Sequence, residues 1–176
     1  GDAMILLNTA KDAAKNTYQS FHTSWDYYGN YSYYLFYPFQ LGFVFISEIV
    51  YRIVGTGSAL PMEILNVLCV SASYLAIAWI TRLVFKRKSV EFITIVLLIG
   101  CFQPVFFAAF PYGNIIGMCC ALWSAFFLIK YMQNGNYFLF IPMVALLTVA
   151  VLAKYNNMIY LVAFAIVLIV HAIRKK

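Results

Sequence analysis

Three groups of polar side chains stand out in a chain that has few. They are Asp2 with Asn8, Lys11 and Asp12; Tyr37-Pro38-Phe39-Gln40; and Lys154-Tyr155-Asn156-Asn157, taken with Tyr112 and Asn114. A carboxylate fixed at the head of a helix can take the proton of an incoming hydroxyl as a general base. The same Asp2 also reads as a helix N-terminal acid favoured by the macrodipole. An ammonium where an apolar segment meets water, next to three hydrogen-bonding side chains, can hold a lipid phosphate as a point charge. Lys154 equally reads as a lysine snorkelling out of a membrane edge. The tyrosines and phenylalanines of residues 27–45 can stack on a sugar ring or line a groove for a prenyl chain, although aromatic residues gather at any membrane interface.

The elements that must position these groups are apolar. Apolar residues make up 64% of the 176 and charged residues 10%, against about 25% charged in ordinary soluble domains. Uncharged runs long enough to cross a bilayer recur, which points to a polytopic α-helical membrane protein. A transmembrane barrel would need alternating strands of about ten residues, and these runs are continuous. The first residues lack the basic–apolar–small order of a secretory signal. The net charge of +6 is no nucleic-acid signature, because the cations sit at the ends of apolar runs, as in Lys86-Arg87-Lys88 and Arg174-Lys175-Lys176. Cys69, Cys101, Cys119 and Cys120 fall inside those runs without metal-ligand spacing and read as small core residues.

Along the chain, Asn8, Lys11, Asp12 and Lys15 recur at helical steps and predict a short amphipathic helix over 2–18, lying at the membrane surface or presenting an ordinary solvated face. Residues 19–32, with Asp26, Gly29 and Asn30 as breakers, read as a loop. The segment 33–54 has an uncharged part of 15 residues, Tyr33 to Ser47, ending in Glu48 and Arg52. That is short of the ~20 needed to span, so it reads as a juxtamembrane or re-entrant helix starting at Pro38. Five spans follow at roughly 62–85, 90–110, 114–133, 137–153 and 156–173, separated by Gly55-Thr56-Gly57 with Pro61, Pro111-Tyr112-Gly113 and Asn134-Gly135-Asn136.

The positive-inside rule puts Lys86-Arg87-Lys88, Lys130 and Arg174-Lys175-Lys176 in the cytoplasm. With 33–54 not crossing, the three polar groups converge on the outer face. Charge bias alone slightly prefers the alternative, in which 33–54 crosses and Lys11 and Lys15 move inside; length and the Glu48/Arg52 interruption outweigh it. There is no Ser-His-Asp arrangement, no glycine-rich phosphate loop and no clustered His/Cys ligand set, since His22 and His171 are isolated. A soluble-type hydrolase or kinase is excluded.

The order of these features carries a resemblance. Asp2 before an Ala-Lys-rich helix, Tyr37-Pro38-Phe39-Gln40-Leu41-Gly42, a basic cytoplasmic turn and Lys154-Tyr155-Asn156-Asn157 together resemble the GT-C superfamily of integral membrane glycosyltransferases. The likeness is to the bacterial branch related to dolichyl-phosphate-mannose–protein mannosyltransferases. It implies that the chain is part of such an enzyme, with a span before Asp2 and further spans after Lys176. It also implies transfer of a sugar from a polyprenyl-phosphate donor to an acceptor on the extracytoplasmic face of a bacterial cytoplasmic membrane. Asp2 would match the catalytic first-loop acid. Lys154, Asn156 and Asn157 would lie at the donor phosphate, and Tyr37, Gln40, Tyr112 and Asn114 at the acceptor or sugar. The implied partners are the lipid-linked sugar and membrane lipid, with no nucleic acid.

Two departures bear on cofactors. The turn matching the family's second acidic residue reads Tyr112-Gly113-Asn114, and Asp2 has no Asp-x-Asp partner. The resemblance therefore leaves a divalent metal open and supplies no ligand set for it. The expected fold is all-α: a polytopic transmembrane helical bundle with external amphipathic juxtamembrane helices, residues 1–61 forming the external loop region and 62–176 the bundle. The residues by themselves also allow a multi-span transporter or channel subunit, or a scaffold, although ion pathways usually carry buried charges that these spans lack.

Overall fold

The computed structural model of the chain describes residues 2–23, 33–55 and 57–174, and among them there is no β-strand. The expected breakers Asp26, Gly29 and Asn30, with Thr56, Lys175 and Lys176, lie outside the described residues.

Helix α1 spans Asp2–Ala14 and buries Leu6, Leu7, Ala10 and Ala13 along one stripe. The polar face expected from the sequence is only partly solvated. Asn8 and Lys15 are exposed, while Lys11 lies over the ring of Tyr51 and Asp12 accepts a hydrogen bond from the Ser20 hydroxyl. Ser20 belongs to a short helix α2, Gln19–Thr23, at the start of the segment expected to be loop. That side-chain acceptor supports a turn which propensity alone does not signal.

Helix α3, Tyr33–Phe36, leads through a 3₁₀ turn at Pro38–Gln40 directly into α4, Leu41–Val54. At 14 residues, α4 is about 21 Å long, less than the ~30 Å hydrocarbon core. Helices α1 and α4 lie side by side in the same sense. Asp2 and Gln40 line one cavity at their starts. At their ends Arg52 donates to Ala13 O and Asn16 Oδ1, each at 2.9 Å, while its guanidinium is held by Glu48 at 2.7 Å.

The bundle follows: α5 (Leu60–Phe85), α6 (Lys88–Gly100), α7 (Gln103–Ala108), α8 (Gly113–Asn134), α9 (Phe140–Ala153, entered by a 3₁₀ turn at Tyr137–Leu139) and α10 (Met158–Arg174, entered by a 3₁₀ turn at Tyr155–Asn157). Among the described residues three helical segments are long and apolar enough to cross a membrane: Leu60–Phe85, Gly113–Asn134 and Tyr155–Arg174. Tyr137–Ala153 is a shorter apolar helix. The run 90–110, expected as one span, is two helices. Pro104 has no N–H to offer Gly100, and it disfavours helical geometry in the residue before it. Cys101 leaves the helix at φ −87°, ψ 81° and Pro104 sits in the first turn of α7.

Helix α8 is central. Its Ser124 hydroxyl donates to Met143 O on α9 at 2.7 Å, and its Trp123 indole N–H to Ala72 O on α5 at 3.1 Å. Small residues at these contacts (Ala76, Ala121, Ser124, Ala150) let the backbones approach, as membrane helix packing favours. Asn66, fully buried on α5, donates its amide to Ala108 O at 3.2 Å and Phe110 O at 3.3 Å, fixing the turn after α7. The first helices and the bundle share one core, in which Leu6, Leu7, Phe43 and Tyr51 pack with Met62, Ile116 and Ala153.

The tightest contacts are at the end of α9. A Cβ on Gly42 would stand 2.1 Å from Leu152 O, and one on Gly113 1.8 Å from Ala153 O. The starts of α4 and α8 therefore touch the α9 backbone itself. Overpacking a filled site costs about 1–3 kcal/mol. Gly42→Ala and Gly113→Ala should each destabilise the purified protein by about that much, read as a lowered thermal unfolding midpoint. Gly57→Ala, where nothing lies within 4 Å, should not. Equal midpoints for all three variants would mean these contacts do not hold the fold.

Candidate functional site

The cavity in question sits where α9 ends. Lys154 terminates α9 in an extended conformation (φ −153°, ψ 115°), its N–H still bonded to Ala150 O at 3.0 Å. That kink turns the Lys154 side chain across the ring of Tyr112, with Nζ 4.1 Å from the ring centroid. Tyr112 is delivered by the turn that Asn66 holds, and it caps α8 in an extended conformation. Its hydroxyl accepts a hydrogen bond from Gln40 Nε2, and its ring packs 6.2 Å from Phe43. Gln40 is buried in the 3₁₀ turn that Pro38 opens.

These groups meet in a cavity of about 310 Å³ lined by Asp2, Tyr33, Tyr37, Phe39, Gln40, Tyr112, Lys154, Tyr155 and Asn156. The aromatic wall is continuous. Tyr33 and Tyr37 stack at 4.8 Å, Tyr37 meets Phe39 edge-on at 5.9 Å, and Phe39 reaches Tyr155 at 6.5 Å.

Six of the eight residues expected at the site (Asp2, Tyr37, Gln40, Tyr112, Lys154 and Asn156) line this cavity. Two do not. Asn114 lies on an adjoining groove of about 240 Å³ with Ala3, Phe107, Phe110 and Ile115, which shares only Tyr112 with the cavity. Asn157 turns inward and donates its amide to Ala150 O at 2.8 Å, close against Gly117, where a Cβ would stand 2.2 Å from it. Its amide ties down the end of α9. Tyr33, Phe39 and Tyr155 complete the wall; Tyr33 in particular was not singled out by sequence, though it lies one helical turn before Tyr37.

The electrostatics are those of an anion-binding pocket with one acid in it. Burial lowers the affinity of Lys154 for its proton, and the charge of Asp2 opposes that shift. Among the described residues the Lys154 ammonium makes no salt bridge; the π face of Tyr112 is its contact. Tyr33 is 3% exposed, and among the described residues its hydroxyl meets no partner at hydrogen-bond geometry. Burial first, and then the charge of Asp2, push its pKa far above the usual tyrosine range. Tyr33 therefore stays protonated and remains a donor, with the Tyr112 hydroxyl as its near neighbour. Among the described residues Tyr51 also buries a hydroxyl without a partner, but away from the cavity. Among the described residues Asp2 is the one carboxylate lining it. Among the described residues no three His, Cys, Asp or Glu side chains group to hold a metal ion.

A model of the family described as dolichyl-phosphate-mannose-protein mannosyltransferase matches residues 40–176. No curated protein and no solved structure matches the chain significantly. The matched stretch contains Gln40, Tyr112, Lys154, Tyr155 and Asn156; Asp2, Tyr33, Tyr37 and Phe39 precede it and join the site through the fold.

A buried donor with no partner costs about 1–3 kcal/mol in desolvation, and removing it can be neutral or stabilising. Tyr33→Phe should therefore leave the unfolding midpoint unchanged or raise it, while weakening any ligand whose oxygen reaches that hydroxyl. A clear drop in midpoint with unchanged ligand binding would make Tyr33 a core residue instead.

Proposed function

The chain belongs to the dolichyl-phosphate-mannose–protein mannosyltransferase family, membrane glycosyltransferases of the GT-C type that use a lipid-linked sugar, and on that premise we propose that its cavity binds a polyprenyl-phosphate sugar and supports attack on it by an acceptor hydroxyl. The observation that carries this reading is an opening that combines, among the described residues, one carboxylate, an ammonium that makes no salt bridge and a wall of aromatic rings. Each part answers a need of that reaction.

The donor phosphate is the anion for Lys154, with the Tyr33 hydroxyl and the Asn156 amide as further donors. The sugar ring has Tyr37, Phe39 and Tyr155 to stack on. Asp2 takes the proton of the acceptor hydroxyl as its oxygen attacks the anomeric carbon. The bond from that carbon to the phosphate oxygen breaks, and polyprenyl phosphate leaves with its growing negative charge facing Lys154. Asn157 and Gly117 have a positioning part, holding the turn that carries Lys154. The grouping of Lys86, Arg87 and Lys88 at the far end of α5 supports an extracytoplasmic cavity. The likeness to the bacterial branch supports a bacterial cytoplasmic membrane.

Transfer assays on the full-length protein in liposomes test the acid. Asp2→Asn should abolish transfer with expression and insertion intact, and near-normal turnover would return Asp2 to a helix-end role. Donor binding tests the base. Losing a charge-assisted hydrogen bond costs about 1.5–3 kcal/mol, roughly ten- to a hundredfold in affinity. Lys154→Gln should weaken donor binding by that factor, whereas Lys130→Gln, whose ammonium lies over Phe126, should not. Equal, negligible effects would make Lys154 an interface anchor.

The pH profile gives a separate check. A lysine whose pKa is lowered loses its proton, and with it the phosphate contact, at lower pH than usual. The alkaline limb of kcat/KM, which reports the free enzyme, should therefore fall below the ordinary lysine value of about 10.4. In Lys154→Arg it should move up out of range, because the guanidinium keeps its proton. An unmoved limb would assign it to another group.

A further inference from the structure

We propose a second anion site, independent of the first, at the turn joining α5 to α6: a seat for the phosphate of an anionic lipid headgroup. Arg82, Lys86, Arg87, Lys88 and Glu91 line a cavity of about 320 Å³ there. It shares no residue with the cavity around Asp2. Asn66, which holds the turn before Tyr112, stands near the start of α5, whereas Arg82 and Lys86 stand at its end, and α5 is 26 residues long, about 39 Å.

Three features of the turn point to a bound anion. Four cations face one carboxylate, and among the described residues none of these five side chains makes an ion pair or hydrogen bond; the ion pair that does form is Arg52–Glu48. Arg87 caps α6, a 13-residue helix, without a side-chain hydrogen bond, and a helix N-terminus carries the positive end of the helix dipole. The helix end itself is built around a lysine. Lys86 takes the left-handed conformation (φ 52°), which is disfavoured for a residue with a Cβ. The corresponding cap of α8 uses Gly135 at φ 67°, as helices usually do. A cation thus occupies a backbone position that favours glycine, and the position puts it among three other cations.

The apolar surroundings select a lipid as the bearer of the phosphate. Val84, Phe85, Phe92 and Ile93 are all more than half exposed on the flanks of the turn. Acyl chains lying on them would place a headgroup at the level of the cations, the arrangement by which basic pockets between membrane helices bind anionic headgroups.

Native mass spectrometry of the full-length protein, with phosphatidylglycerol, phosphatidylcholine of the same chain length, and inorganic phosphate as probes, tests this. Wild type should retain phosphatidylglycerol over phosphatidylcholine. Arg82→Gln with Arg87→Gln should lower that retention roughly tenfold to thirtyfold at an unchanged unfolding midpoint, and Lys130→Gln should not change it. Glu91→Gln, which removes the one opposing charge and no cation, should raise it. Equal retention of the two lipids, or no change in both the double variant and Glu91→Gln, would overturn the site. Displacement of phosphatidylglycerol by millimolar inorganic phosphate would overturn the lipid source in favour of a soluble phosphate.

Discussion

The last turn of α9 is in backbone contact with two other helices, and the site depends on that contact. Gly42 at the start of α4 and Gly113 at the start of α8 abut the carbonyls of Leu152 and Ala153 with no room for a side chain. Three segments far apart in sequence are brought together at Lys154 as a result. The Pro38–Gln40 turn comes from one side and Tyr112 from another, and the Tyr155–Asn157 turn leaves along the third. Two polar ties brace the arrangement from outside: Arg52 on the end of α1, and Asn66 on the turn before Tyr112. Both are side chains that donate to backbone carbonyls at helix ends, where carbonyls lack intrahelical partners; Ala13 O also accepts from Asn16 N.

The electrostatic character of the cavity follows from the same geometry. Packing Tyr112 against Phe43 leaves its ring as the platform for Lys154 and its hydroxyl as the acceptor for Gln40. The ammonium is thereby held in place by a π face, which orients it without neutralising it. A cation so held can still take an anion's charge in full, whereas a salt bridge would have used it. Tyr33 adds a buried donor whose proton stays on. Preorganised donors of this kind stabilise negative charge most when they need no rearrangement to meet it.

What could be read from the sequence, and what could not, divides along physical lines. Asp2, Lys154 and the Tyr37–Gln40 stretch were legible because charges and polar clusters are scarce in an apolar chain. The shortness of α4 was legible because its uncharged run ends at Glu48 and Arg52. Tyr33 was hidden among many tyrosines, since aromatic clustering does not say which hydroxyl will be buried without a partner. Asn157 was misplaced for the opposite reason: it stands in a polar row, yet its amide is used to hold Ala150 O beside Gly117. The break at Cys101 was outweighed by the length of the apolar run, although Gly100 and Pro104 mark it. The close contacts of Gly42 and Gly113 were invisible, because both glycines also read as ordinary punctuation before a helix.

The central claim is that a lipid-linked sugar phosphate lies between Lys154 and Asp2. An experimental structure of the full-length protein with a polyprenyl-phosphate sugar bound tests it most directly. The account predicts a phosphate oxygen at charge-assisted hydrogen-bond distance, about 2.7–2.9 Å, from Lys154 Nζ, the sugar against Tyr37, Phe39 and Tyr155, and its anomeric carbon open to the Asp2 side. A phosphate seated away from Lys154, with the cavity unaltered and empty, would contradict it.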